Sequence, residues 1–303
     1  MAAIIFYTII VFFSDTSLIY EKLSLIKWEY YLLILPLTFL SFTIRAIRYH
    51  LIIKDLKIPL MFSDSFLVYL SGFSMSITPG GFGTIIKSHL LKQKTGKSYS
   101  STTPIIIYEK FLELITITMI IGMLLVLSDL LVSKIIFIMG IILSVIIFSF
   151  LKFPSSQHFL YNIFNKISFL RKYLPDIDQF SKSSSVLLKT KTFTKNLTLS
   201  IIAQIPIMIA LILLFESIEI SIEPFTSNQI FFTSTMLGTI SFIPGGIIVT
   251  ESGLLGLLLT NGIELISATV AVLLIRFVFL WFSIILGLGI LKIVMSKKWL
   301  EKK

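Results

Sequence analysis

The stretch PIIIYEKFLELITITMI, residues 104–120, sets Glu109 and Glu113 four positions apart with Lys110 beside them, in a segment that is otherwise almost wholly apolar. On a helix a four-residue spacing puts both carboxylates on one face. Farther along, AVLLIRFVFLWF carries Arg276 twelve residues beyond Glu264, and SFIPGGIIVTESG places Glu251 just after a Pro-Gly-Gly sequence. Carboxylates, a guanidinium and amines without any accompanying cysteine or histidine cluster can do three things: pair with one another, hold an anion such as phosphate, or exchange protons. A guanidinium suits phosphate because its planar fork donates two parallel hydrogen bonds. Arg276 therefore reads as a phosphate ligand or as the partner of Glu251, Glu109 or Glu113. Arg45 and Arg48 in SFTIRAIRYHLII read either as interfacial anchors or as head-group ligands, and Lys87, with His89, either as a mouth-lining group or as part of a basic loop.

The elements that must position these groups are membrane helices. Of 303 residues, 55% are hydrophobic and 14% charged, and the mean hydropathy is +0.95. No polar stretch approaches the ~100 residues typical of a separate soluble domain, so residues 1–303 read as a single membrane domain. The chain has no Cys, and His50, His89 and His158 are far apart, so neither a disulfide nor a metal site is expected and no cofactor is implied. The net charge of +10 fits cytoplasmic loops against anionic lipid better than nucleic acid, for which no aromatic-plus-basic motif is present. The opening MAAIIFYTIIVFFSD lacks the pattern of a cleavable leader and reads as a first, short span.

Hydropathy places spans near 3–19, 30–53, 104–127, 134–151, 196–215 and 264–291. Two further apolar regions, 65–88 and 229–262, are interrupted by Pro79-Gly80-Gly81 and Pro244-Gly245-Gly246. Lys and Arg crowd the connection 152–195, the stretch 87–97 and the tail, whereas the loop with Glu216, Glu219 and Glu223 has no basic residue. The positive-inside rule then puts the first three inside and the acidic loop outside. Each broken region must begin and end on one side, 65–88 inside and 229–262 outside, with Pro-Gly-Gly at the tip of a re-entrant hairpin. The expected fold is all-α: six transmembrane helices plus two oppositely oriented re-entrant hairpins.

The two regions also resemble each other. SGFSMSITPGGFGTIIK and LGTISFIPGGIIVTE share an apolar approach, Pro-Gly-Gly and a charged group seven or eight residues after the Pro. Glu109 follows Pro79 by 30 residues and Arg276 follows Pro244 by 32. Halves of about 30–151 and 196–291 with opposite topology form an inverted repeat, a layout that secondary transporters use to build a midplane site. The Ser283 and Gly287 pair offers a small-residue face for helix packing, and Asn196-Leu-Thr198 is a sequon placed at a cytoplasmic boundary where it stays unused.

For catalysis the chain shows no nucleophile elbow, phosphate loop or complete dinucleotide fingerprint. The ordered set SFTIRAIRYHLII, SITPGGFGTIIKSHLLKQKTGKS, IYEKFLELI, ISFIPGGIIVTESGLL and LLIRFVF resembles the flippase-like membrane domain of lysylphosphatidylglycerol synthases and of stand-alone prokaryotic membrane proteins, over about residues 30–291. The resemblance implies a translocator of polar lipids in a prokaryotic cell membrane, with cargo that is a phospholipid or a polyprenyl-phosphate-linked lipid. Synthesis of that lipid is expected from a separate enzyme, and homo-oligomerisation is compatible with it. The substrate-binding set is then Arg276, Glu251, Glu109, Glu113, Arg45, Arg48 and Lys87. The rival reading is a membrane-embedded lipid-modifying transferase, or an accessory of one, using the carboxylates as general base.

Overall fold

A computed structural model describes residues 16–78, 85–127, 130–165, 176–296 and 299, and among these every regular element is helical. Four segments are long and apolar enough to cross a membrane: Trp28–Asp55, Leu131–Lys152, Thr190–Ser217 and Leu265–Val294. They correspond to four of the spans expected from hydropathy. The expected span 104–127 is a helix of comparable length, Tyr99–Leu124, whose middle carries Glu109, Lys110 and Glu113. The first expected span lies almost wholly outside the described residues, which begin with helix α1, Thr16–Ser24.

The long helices are α2 (Tyr31–Asp55, entered through a 3-10 turn at Trp28–Tyr30), α5 (Tyr99–Leu124) and α6 (Leu131–Lys152). Between them lie α3 (Phe62–Ser71) and α4 (Ile85–Thr95). The connection expected as a basic loop contains α7 (Pro154–Asn165) and α8 (Ile177–Leu187). Next come α9 (Thr190–Ile202) and α10 (Gln204–Ser217), one span divided at Ala203. Pro206 explains that division, since it has no N–H to bond the carbonyl of Ile202. The chain closes with α11 (Pro224–Ile240), α12 (Val249–Thr260), α13 (Leu265–Arg276) and α14 (Phe282–Val294).

Contacts at the helix ends sort the bundle into a basic and an acidic end. Lys195 meets Asp55 at 2.7 Å, and the indole of Trp299 donates to Asp64, which also faces Lys94. Ser98 donates to Gln179 at 2.8 Å. At the opposite end Lys27 donates its backbone N–H to Ser217 and its amine meets Glu219 at 2.8 Å. Trp28–Asp55 and Thr190–Ser217 are therefore antiparallel, and the basic segments gather away from the acidic loop. Two apolar cores match this division, one built on the far half of α5 with α10 to α13, the other on α2 to α4, the near half of α5 and α14.

Each broken region packs back on itself. In the second, Gly238 of α11 faces Gly246 and Thr250, and Gly253 of α12 faces Ser234, which is an antiparallel register. Pro224 begins α11 at a position where its missing N–H costs nothing, so the helix starts five residues before the apolar pattern suggested. Between the two helices Phe242, Gly245, Gly246 and Ile248 all have positive φ, from 54° to 77°. In the first region α3 continues into a 3-10 turn, Gly72–Met75, and α4 returns with Lys87 lying along Gly72. Its tip, Pro79, Gly80 and Gly81, lies outside the described residues. The two regions approach each other: a Cβ on Gly245 would sit 3.6 Å from the Cα of Ile77. The small-residue face of α14 is occupied within the chain, because Gly287 lies against the backbone of Phe73 and Ser74.

Candidate functional site

Lys87, on the first turn of α4, points inward. Its ammonium stands 2.5 Å from Glu109 Oε2 and 5.0 Å from the ring centres of both Tyr49 and Tyr69. Arg48 approaches the other carboxylate oxygen at 3.8 Å and donates to Ser200 Oγ at 2.5 Å. Arg48, Lys87 and Glu109 are 1%, 5% and 3% exposed, so the three charges form one sealed cluster. The anchoring and loop readings of Arg48 and Lys87 fail for that reason: neither reaches a surface. Asn196, of the sequon, is equally buried and bonds the hydroxyl of Tyr108.

Glu251, on the first turn of α12, is completely buried and accepts from Arg276 Nε at 2.8 Å. The same guanidinium donates through a terminal nitrogen to the carbonyl of Gly245, also at 2.8 Å. Arg276 thus fastens α13 both to the helix that follows the break and to the break itself. A π-helical turn, Phe277–Trp281, begins immediately after Arg276, and such widened turns often mark functional positions. Of the three acidic partners open to Arg276, the fold selects Glu251.

Arg45 donates to Gln204 at 3.2 Å, and Lys110 pairs with Glu113 at 3.0 Å one turn away on α5. These side chains and Arg276 share a cavity of about 470 Å³. Its polar groups include Arg45, Lys110, Glu113, Gln204 and Arg276, its tip groups are Gly245 and Gly246, and its remaining walls are mostly Ile, Leu and Phe. A pocket of about 70 Å³ adjoins it, sharing Ser76, Ile106, Lys110 and Glu113 and reaching Lys87 and Glu109 on its other side.

Of the seven residues singled out from sequence, Arg276, Glu113 and Arg45 line the large cavity. Lys87 and Glu109 face the small pocket, Glu251 braces Arg276 from behind, and Arg48 braces Glu109. Lys110 and Gln204 belong to the cavity as well and were not in that set. Lys110 was visible as the third charge of the Glu109–Glu113 segment, whereas Gln204 carries no local signal. Among the described residues no group of His, Asp or Glu is arranged to hold a metal ion.

Residues 1–287 match the family described as the lysylphosphatidylglycerol synthase TM region. The chain belongs to that family. All seven residues and both Pro-Gly-Gly sequences fall within the matched region, and the family is a membrane one, in keeping with the four spanning helices. No curated protein and no solved structure matches the chain.

Proposed function

We propose that the protein translocates a polar lipid, an anionic or aminoacylated phospholipid or a lipid-linked precursor, across a prokaryotic cell membrane. The cavity carries this reading: charged groups converge in an otherwise apolar space of about 470 Å³ beside the point where the two broken regions meet. A polar head group needs such a lining, because ionised groups deep in hydrocarbon cost several kcal/mol unless paired or hydrated. The Ile, Leu and Phe walls suit the base of acyl or prenyl chains.

In this reading the two hairpins re-enter the membrane from opposite faces, the basic end and the C-terminus are cytoplasmic, and the halves form an inverted repeat. Rocking of one half against the other would expose the cavity to each leaflet in turn. Arg276 holds the phosphate, and Glu113 receives any cationic part of the head group. Purified protein in vesicles containing trace fluorescent lipids tests the reading directly. The expected result is lipid exchange between leaflets well above protein-free vesicles and a fall of about tenfold or more in Arg276→Ala, the loss expected when a charge-assisted contact is removed. Exchange by Arg276→Ala equal to that of the unaltered protein would remove Arg276 from the site.

A further inference from the structure

We infer that the cargo carries a net negative head group, a phosphoryl group on a lipid anchor without a compensating amine. The inference rests on the translocation reading and narrows it. Its basis is the charge inventory of the interior. Around the cavity and the adjoining pocket stand Arg45, Arg48, Lys87, Lys110 and Arg276 against Glu109, Glu113 and Glu251. Among the described residues five cations face three carboxylates, leaving a surplus of two positive charges.

The pairings show where that surplus resides. Glu251 is committed to Arg276, and Glu113 to Lys110. Glu109 is shared between Lys87 and Arg48, so the buried cluster keeps one excess charge, and Lys87 and Glu109 line the small pocket. Arg45 donates through one terminal nitrogen to a neutral amide, Gln204, and lines the large cavity with no carboxylate within ion-pair distance among the described residues.

In a water-poor interior, like charges repel far more strongly than at a surface. An anionic head group entering this cavity lowers the surplus. A head group with net positive charge raises it to three and must also compete with Lys110 for Glu113. Aminoacylation of phosphatidylglycerol with lysine converts the first kind of head group into the second, so the inventory predicts discrimination between a lipid and its lysylated form. Two sources of the favoured chemistry are a phospholipid such as phosphatidylglycerol and a polyprenyl phosphate.

The test uses the purified full chain in phosphatidylcholine vesicles, each with one tail-labelled probe: phosphatidylglycerol, lysylphosphatidylglycerol, phosphatidylethanolamine or a short-chain polyprenyl phosphate. Either or both anionic probes should cross at least about tenfold faster than the lysylated one, with phosphatidylethanolamine between, and the faster anionic probe identifies the source. In the variant R45Q/K110Q the surplus falls to zero and the advantage of the anionic probes over phosphatidylethanolamine should collapse. Thermal stabilisation of the detergent-solubilised protein by phosphatidylglycerol but not by lysylphosphatidylglycerol is the parallel expectation, read without transport. Faster crossing of the lysylated probe, or a variant that keeps the full anionic preference, overturns the inference while leaving translocation intact. Failure of every probe to cross faster than in protein-free vesicles overturns both.

Discussion

The two broken regions are built alike with their charges exchanged. After the first break a cation, Lys87, pairs with a carboxylate, Glu109, on the next long helix; after the second a carboxylate, Glu251, pairs with a cation, Arg276, on the next long helix. Their surroundings differ. The first pair shares its carboxylate with Arg48 and lies under two tyrosine rings beside a pocket of about 70 Å³. The second pair lines the large cavity through Arg276, which also holds the carbonyl of Gly245 at the break. The first arrangement resembles a fixed joint, sealed and over-supplied with cations. The second couples the backbone reversal directly to the space where a ligand would sit.

The largest expected effect follows from the shared carboxylate. Glu109→Gln strands two buried cations at once, and its cost should reach or exceed the upper part of the ~3–5 kcal/mol seen when a buried ion pair loses one partner. Lys87→Met should cost less, about 1–3 kcal/mol, because Glu109 keeps Arg48 within 3.8 Å. Unfolding in mixed micelles measures both, and equal losses would show that Arg48 does not share the carboxylate.

Paired apolar replacement separates the regions further. Glu251→Gln and Arg276→Met should each cost about 3–5 kcal/mol, and Glu251→Leu combined with Arg276→Met should recover most of that, since removing both members of a buried pair is often close to neutral. On the translocation reading, lipid exchange by the double variant should nevertheless be lost, along with the guanidinium. The same strategy in the first region, Lys87→Met with Glu109→Leu, leaves Arg48 without its carboxylate and should recover little. Recovery in both regions alike would erase the distinction between a pair and a cluster.

The contrast also shows what sequence could and could not convey. Four of the spans were legible because about 20 consecutive apolar residues are needed to cross a bilayer and few other structures require them. The position of the second break was legible because Pro244, Gly245 and Gly246 disturb a helix wherever they fall. Partner choice was not, since Arg276 could face three carboxylates until the rotation of α12 and α13 was known. Lys87 was concealed by its neighbours: Lys92, Lys94 and Lys97 make the stretch look like a solvated basic loop, and only the inward aim of the first turn of α4 sets it apart. Arg48 was concealed by Arg45, one turn away, as both looked like anchors. The helices α7 and α8 were read as a connection because their polar content is high, and the π-helical turn after Arg276 has no sequence mark at all.

A smaller effect is expected at the second break. Ile248 is β-branched with φ 77°, a conformation that only Gly adopts without strain, and its side chain is 43% exposed. Ile248→Gly should relieve strain of about 1–2 kcal/mol against a modest loss of packing, for a net gain of up to ~1 kcal/mol. If the strained reversal is used when the halves move, this more stable variant should transport at a changed rate; an unchanged rate would make the strain incidental to movement. The first region contains no corresponding φ among its described residues, so a parallel substitution there has no strain to release.

The smallest effect belongs to a pair that neither region buries. Lys27 and Glu219 meet at 2.8 Å at the acidic end, fully open to solvent. The hydrogen bond and charge of Glu219 raise the pKa of Lys27, and those of Lys27 lower the pKa of Glu219. A raised lysine contributes stability that is complete below its ordinary pKa and disappears as pH climbs through the folded value; a lowered carboxylate contributes above its ordinary pKa and loses that contribution as pH drops through the folded value. The pair therefore acts across the neutral range and fades toward both extremes. Because it is exposed, salt should screen it: in about 1 M salt Glu219→Gln should melt with the unaltered protein, whereas the buried-pair variants should keep their full deficit. A salt-insensitive loss in Glu219→Gln would mean that this end of the bundle is more enclosed than the geometry indicates, and that the buried pairs are not distinctive in resisting screening.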